Sequence, residues 1–279
     1  MKVLAIESSC DDTSFSVVSD DKSIDFIKTI NHRKFHKKHG GVIPEMAARQ
    51  HLDIMDYLQK SIKKFDFKEI DAIAATYGPG LIGGLIVGSS FAKGLSIARQ
   101  KKLIPVNHLQ AHLLSPRLTS NLSFPYLCLL VSGGNTALVI VKSPKKFVTL
   151  GSTIDDSAGE CFDKVSKALG LGYPGGPIIE KLALKGDHHK YKLPLPLTKV
   201  KNCNFSFSGL KTAAIDIINK NKNNKRFLEN FCASFQYTVG EIFQKKIRNS
   251  LDVMNNEGIK FKDFSICGGV AANQYLNKL

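Results

Sequence analysis

His108 and His112 stand one helical turn apart in Pro105-Val-Asn-His-Leu-Gln-Ala-His112, where a short apolar strand hands over to a helix. Side chains four residues apart lie one above the other on a helix face, so two imidazoles here can grip one metal ion. The plainer alternative is one exposed and one buried structural histidine. Two ligands do not complete a catalytic site, which normally has at least three protein ligands and an open position. A third donor therefore has to come from elsewhere. Leu109 follows the first histidine, so this is not the H-E-x-x-H of zinc proteases, and no general-base glutamate is supplied there.

Glu7-Ser-Ser-Cys-Asp11-Asp12-Thr13 places carboxylates and hydroxyls in a hairpin turn after a buried strand. Hydroxyls and backbone N–H groups in such a turn can hold phosphate or a phosphate-bound cation; an ordinary Asp-rich hairpin has the same look. Ser132-Gly133-Gly134-Asn-Thr136 repeats the pattern in the second half, with glycines that allow close backbone approach to a ligand. Paired across a cleft, two such turns form the phosphate clamp of actin-like sugar kinases and heat-shock ATPases. Gly78-Pro-Gly-Leu-Ile-Gly-Gly84 is no Walker loop, because no Gly-Lys-Ser/Thr follows; it reads as a close helix–strand junction. Tyr173-Pro-Gly-Gly-Pro177 and Gly268-Gly-Val-Ala-Ala-Asn273 open helices in a way that suits the sugar or phosphate of a nucleotide, although the first is also a plain turn. The carboxylates of Asp155-Asp-Ser-Ala-Gly-Glu-Cys-Phe-Asp163 surround a helix start, where acids also compensate the helix dipole.

The elements that must position these groups follow from periodicity. Strands are expected at Lys2 to Ser8, Ser14 to Val18, Phe26 to Ile30, Ile70 to Ala75 and Leu103 to Val106. Helices are expected from Pro44 to Ile62, with proline at a tolerated first-turn position, and from the Gly78 segment to Arg99. A polar break at Thr119-Ser-Asn-Leu-Ser123 marks the expected boundary between a first lobe, 1–120, and a second, 121–279. The pattern then restarts with strands at Tyr126 to Val131, Ala137 to Val141 and Phe147 to Leu150. Helices follow at about Ser157–Leu169, Pro177–Leu184, Leu210–Asn219 and Arg226–Asn255, then a strand from Phe264 to Cys267. Strand–polar turn–strand near the start of each half implies duplicated α/β lobes, each a mixed sheet flanked by helices. The chain then stops within the first turns of a helix, which reads as an unfinished packing layer.

Length and a 43% hydrophobic content suffice for two cores. No apolar run approaches the roughly 18 residues of a membrane helix, and no secretory pattern precedes the first strand. Six scattered cysteines without a C-x-x-C pair point to reduced thiols in the cytoplasm. The net charge of +15 invites a polyanion. Only six of the 39 basic residues are arginine, however, and runs such as Asn219-Lys-Asn-Lys-Asn-Asn-Lys225 also fit an A/T-rich genome.

Nine segments together resemble one family, the bacterial and organellar tRNA threonylcarbamoyladenosine transferases once catalogued as glycoproteases. They are Glu7–Thr13, Gly40-Gly-Val-Ile-Pro-Glu-Met-Ala-Ala-Arg49, Gly78-Pro-Gly-Leu81, His108–His112, Leu130-Val-Ser-Gly-Gly134, Asp155–Lys164, Tyr173–Pro177, Phe205-Ser-Phe-Ser-Gly-Leu-Lys211 and Gly268–Asn273, in the family's order over nearly the whole chain. The resemblance implies a two-lobed actin-like fold. It implies transfer of threonylcarbamoyl from threonylcarbamoyl-AMP to the exocyclic N6 amine of adenosine 37, beside the anticodon, in tRNAs that read codons beginning with A. By position His108 and His112 would bind a divalent metal, Fe2+ or alternatively Zn2+. Leu130, Val131, Ser132, Gly133, Gly134, Asp163, Gly176, Glu180 and Asn273 would line the substrate pocket, with Asp11 and Asp12 beside the reacting centre and Asp11 the candidate base. Expected partners are tRNA, a smaller paralogous actin-like protein and an accessory ATPase, with no membrane. The helices around Pro44–Ile62 and Ser89–Arg99 are the expected partner surface.

Three departures from the family qualify this. Asp12 stands where the family usually has Glu, one methylene longer, and Asn135 replaces the usual His after Ser-Gly-Gly. The family also continues past the position of Leu279 into a Thr-Asp-Asn-Gly segment whose Asp is the third metal ligand. Weak metal binding and impaired activity are therefore expected of the 279-residue chain. The competing classes are a metalloprotease, which the missing H-E-x-x-H disfavours, a small-molecule kinase of the same fold, and a catalytically degenerate scaffold that binds nucleotide or a partner.

Overall fold

A computed structural model describes residues 1–32, 36, 41–62, 66–221 and 226–279. Gly40, and residues 222–225 of the Lys/Asn run, lie outside them. Two compact units divide the chain between Ala111 and His112. The first contains β1 (Lys2–Glu7), β2 (Asp12–Ser19), β3 (Ile24–Asn31), α1 (Pro44–Ile62), β4 (Ala72–Gly78), α2 (Ile82–Arg99) and β5 (Lys102–Asn107). Its sheet runs β3-β2-β1-β4-β5, with β1, β4 and β5 parallel and β2 antiparallel to both of its neighbours, β1 and β3. Ala72 to Thr76 of β4 are all buried, as expected of a strand covered on both faces. Edge strand β3 alternates exposed and half-buried residues and carries Asp25 and Lys28, charges that discourage further pairing. Leu4, Ile6, Phe15 and Val17 pack with Met55, Leu58 and Ala92 from the two helices into one core.

Helix α3 (His108–Leu114) follows β5 directly and straddles the division. The second unit continues with α4 (Pro116–Thr119), β6 (Tyr126–Val131), β7 (Thr136–Ser143), β8 (Lys146–Ser152), α5 (Ala158–Ala168), α6 (Gly175–Ala183), α7 (Ser208–Lys220), α8 (Phe227–Asn256), β9 (Asp263–Cys267), a 3-10 turn (Gly269–Ala272) and α9 (Gln274–Asn277). The division falls before the polar break at 119–123 because the intervening residues are tied into the second unit. Tyr126 Oη donates to the Leu113 carbonyl at 2.7 Å, Arg117 Nε to the Leu122 carbonyl at 3.1 Å, and the Ser123 N–H to the Asp263 carboxylate at 2.8 Å.

The second sheet runs β8-β7-β6-β9, and all six residues of its inner strand β6 are buried. Helix α8 supplies much of this core. Phe227, Phe231 and Phe235 recur every four residues with ring centroids 5.0 and 6.4 Å apart, and Phe162 of α5 meets Phe235 edge-on at 5.1 Å. Among the described residues no helix is long and apolar enough to cross a membrane.

Lys246 of α8 is 0% exposed. Its ammonium donates to the carbonyls of Leu197 (2.8 Å), Val200 (3.3 Å) and Asn202 (3.0 Å) and to Asn202 Oδ1 (3.1 Å). Burial lowers its pKa, and those acceptors replace the water it has lost. Asn249 Nδ2, one turn on, donates to two of the same carbonyls. The pair anchors the 197–202 loop that leads into Phe205–Lys211. Lys246→Met should therefore lower stability by roughly 2 kcal/mol, since it orphans partly buried acceptors; urea denaturation showing less than about 0.5 kcal/mol would refute this anchoring role.

Candidate active site

The carboxyl ends of parallel strands β1, β4 and β5 lie side by side, with Ile6 opposite Ala75 and Thr76 opposite Val106. Crevices outside such strand ends are where open α/β sheets bind ligands. That register brings Glu7, Thr76 and His108 together. Glu7 Oε1 accepts from the Ser9 N–H at 2.6 Å, and Oε2 accepts from the Thr76 hydroxyl. His108 Nδ1 lies 3.4 Å from Glu7 Oε2 and 3.1 Å from Ser9 Oγ. Burial alone would raise the Glu7 pKa, but the hydrogen bonds from His108, Ser9 and Thr76 outweigh it and hold the carboxyl at about 2. With Nδ1 engaged by Glu7 and Ser9, only Nε2 of His108 can serve as a metal ligand, the usual arrangement of an oriented ligating histidine.

The Ser8–Asp11 turn between β1 and β2 sits against both helices of its unit. Ser8 Oγ donates to the Gly84 carbonyl at 2.9 Å, and a Cβ at Gly84 would strike the Ser8 carbonyl and approach His51 Nε2 at 2.8 Å. The Gly78–Gly84 segment is thus a close junction against this turn. Asp11 lies in the turn, where its carbonyl accepts from the His32 N–H at 2.9 Å. Asp12 is the first residue of β2, paired with Asn31.

In the second unit, polar side chains tie the glycine-rich segments together. Leu130 and Val131 end β6, and Ser132 Oγ accepts from the Asn135 N–H at 3.1 Å to close the Ser132–Asn135 turn. Ser157 caps α5 by accepting from the Glu160 N–H at 3.1 Å and donates to the Gly133 carbonyl at 2.5 Å. Asp163 Oδ1 accepts from the Gly175 N–H at 2.7 Å, and Glu180 Oε1 from the Gln274 N–H at 2.6 Å. Asn273 donates to Gln236 Oε1 at 2.8 Å, and its own oxygen accepts from the Leu276 N–H. Gly268, at φ 94°, passes so close to the Val131 carbonyl that a side chain there would collide. Gly133, Gly134 and Gly176 face open space. Ser132–Gly134, Asp163, Gly176, Glu180 and Asn273 therefore sit on segments joined by direct bonds.

The acidic pair Asp155 and Asp156 is structural. Asp155 accepts from the Phe207 N–H at 2.8 Å and from the Ser206 hydroxyl at 2.5 Å, at the start of α7. Asp156 is paired with Lys164 at 3.3 Å and with Lys211. A cavity of about 800 Å3, lined by Thr119, Leu129, Phe243, Phe264, Cys267 and the last residues, contains none of the expected substrate-binding residues. Thr76 and Gln236 carry no individual signal in the sequence, and Ser157 only that of a helix cap, from its Ser-x-x-Glu spacing to Glu160.

Among the described residues no group of three or more His, Cys, Asp or Glu side chains is arranged to hold a metal ion. His108 and His112 offer imidazole donors suited to iron or zinc, but two donors do not make a complete ligand set.

A family model described as TsaD, tRNA N6-adenosine threonylcarbamoyltransferase, matches residues 26–279. A curated protein of that name from Orientia tsutsugamushi (strain Boryong) is 49% identical over 288 residues, covering 100% of this chain and 84% of the relative. One from Wolbachia pipientis wMel is 46% identical over 279 residues, covering 99% and 83%. Among solved structures, component A of (R)-2-hydroxyglutaryl-CoA dehydratase from Acidaminococcus fermentans superposes with a TM-score of 0.57 at 15% identity, over 100% of this chain and 86% of that one. The activator of 2-hydroxyisocaproyl-CoA dehydratase from Clostridium difficile gives 0.53 at 13%, over 100% and 84%. At such identities the likeness shows the fold alone, and it is the actin-like class expected from the sequence.

Because the folded pKa of Glu7 is depressed below its ordinary 4.5, the stability it contributes is present above that value and lost as pH falls toward 2. Glu7→Gln should thus be less stable than the parent at pH 7, with the gap closing between pH 4.5 and about 2. Thermal unfolding across that range measures the gap, and one that does not change with pH would contradict the assignment.

Proposed function

Since the chain belongs to the tRNA N6-adenosine threonylcarbamoyltransferase family, we propose that it transfers threonylcarbamoyl from threonylcarbamoyl-AMP to N6 of adenosine 37 in tRNAs reading codons that begin with A. The observation that carries this reading is the bonded constellation of Ser132–Gly134, Asp163–Gly175 and Glu180–Gln274 with Asn273 in the second unit. It supports a seat for the adenylate: the backbone N–H groups of Gly133 and Gly134 face the phosphate, the Ser132 N–H being spent on the Asn135 carbonyl, while Gly176, Glu180 and Asn273 line the nucleoside and threonine side.

In the transfer the N6 lone pair attacks the carbamoyl carbon. The bond from that carbon to the phosphate oxygen breaks, AMP leaves with the bonding electrons, and the amine loses one proton. Asp11 is the group we assign to accept that proton, with Asp12 beside it orienting the amine. Backbone donors aimed at the phosphate offset the charge that builds up on the leaving group. A divalent ion, Fe2+ or Zn2+, would use His108 and His112 together with a donor from outside the described residues. The smaller paralogous protein and the ATPase are proposed partners, docking near α1 and the Ser89–Arg99 end of α2, and the reaction is placed in the cytoplasm.

Incubating the purified chain with tRNA, threonylcarbamoyl-AMP and those partners, then analysing nucleosides by mass spectrometry, tests the reading. Threonylcarbamoyladenosine should form, and Asp11→Asn should slow it by about 10²-fold or more. Adenylate and tRNA binding without any product would leave the scaffold reading.

A further inference from the structure

Three histidines lie beneath the Glu7–Thr13 turn, and the transfer step uses none of them. His32, His36 and His51 are each 0% exposed. His51 comes from α1 and His32 from the residue after β3. Thr13 Oγ1 stands between their rings, 2.7 Å from His51 Nδ1 and 2.9 Å from His32 Nε2. His51 Nε2 lies 3.1 Å from the Cys10 carbonyl. The two rings meet edge-on at 4.6 Å.

Donor chemistry gives this chain of bonds a single direction. A carbonyl oxygen only accepts, so His51 Nε2 carries its hydrogen and donates to Cys10. In the neutral ring Nδ1 is then bare and accepts the Thr13 hydroxyl hydrogen. The Thr13 oxygen has lone pairs left for His32, which must therefore be the Nε2–H tautomer. Running the chain backwards would put a hydrogen on His32 Nδ1, which has no hydrogen-bond partner among the described residues, and a buried N–H without an acceptor is costly. Protonating His32 would likewise put a hydrogen on that Nδ1, so its ring stays neutral. Burial, then the charges of His51 and His36, push His32 down to about 4 against the pull of Asp11. Burial also lowers His51, helped by His36 and opposed by the Cys10 carbonyl, Glu7 and Asp11.

An apolar core would fill this space without any constraint on tautomers. Here the bonds end on the main chain of the turn: His51 on the Cys10 carbonyl, and the His32 N–H on the Asp11 carbonyl at 2.9 Å. We propose that His51, acting through Thr13 and the Cys10 carbonyl and in concert with His32, is a positioning residue that fixes the Cys10–Asp12 turn for the transfer reaction. The inference rests on the reading that this turn borders the reacting centre.

Two sets of measurements separate the inference from that reading. Nitrogen-15 NMR of the intact chain at pH 7 should show His32 and His51 as neutral Nε2–H tautomers, with the His32 tautomer perturbed in Thr13→Val. Finding either ring as Nδ1–H overturns the relay whether or not the chain is active. In the reconstituted transfer assay, Thr13→Val and His51→Phe should each lower kcat by about tenfold or more, a misplacement effect. KM for tRNA and for the acyl-adenylate should move by less than about twofold. The double variant should be no slower than the slower single one, because both break one relay. His51→Gln, whose amide can still donate to Cys10, should recover part of the rate. Folded Thr13→Val with the parent kcat would overturn the proposal even if His51→Phe fails to fold.

Discussion

An ionised carboxylate only partly exposed to water at the end of β1 constrains how the first unit is assembled. Glu7 is tolerated there because a main-chain N–H, a threonine hydroxyl and an imidazole converge on it from three places in the sequence. Those donors arrive together only if β1, β4 and β5 keep their register, since a slip of one residue would turn each side chain to the opposite face. The electrostatic demand of one side chain and the alignment of the parallel strands are therefore a single constraint. The orientation of His108 follows from it.

The second unit achieves order of the same kind with hydroxyl, carboxylate and amide groups. Ser157, Asp163, Glu180 and Gln236 each hold a backbone or amide group belonging to a neighbouring glycine-rich segment. Glycine-rich segments lack the side chains that would normally pin them, so their shape has to be imposed from outside. Side-chain oxygens on α5, α6 and α8 impose it. Gly133, Gly134 and Gly176 are left facing open space, which is what a backbone needs in order to approach a phosphate.

Much of this architecture is legible in the sequence, and the exceptions have physical causes. The apolar run Tyr126–Val131 is β6 to the residue, because a strand buried on both faces has no polar interruptions to blur its ends. Asp12 and Thr13, read as turn residues, are the first residues of β2, because pairing with Asn31 and Ile30 extends the ladder beyond the apolar pattern. Gly78–Gly84 is recognisable as a tight junction, but not that Ser8 and His51 are what it closes on. Asp155 and Asp156 are legible as carboxylates before a helix start, but not that they bind the start of α7 and Lys211, partners some 50 residues away. The burial of Lys246, His32 and His51 is likewise set by distant backbone carbonyls and by Thr13, which periodicity cannot register. Of the expected substrate residues, Asp163, Glu180 and Asn273 prove to be tied to neighbouring segments.

Helix α8 is a 30-residue rod that holds Gln236 about a third of the way along and Lys246 about two thirds. Gln236 faces Asn273 and Lys246 faces the 197–202 carbonyls. Each residue inserted or removed between them would rotate one attachment by about 100° relative to the other and shift it by about 1.5 Å. The stretch between the two is accordingly a spacer of invariant length: drift can exchange its residues one for another, but indels there would unseat either the amide latch or the ammonium anchor.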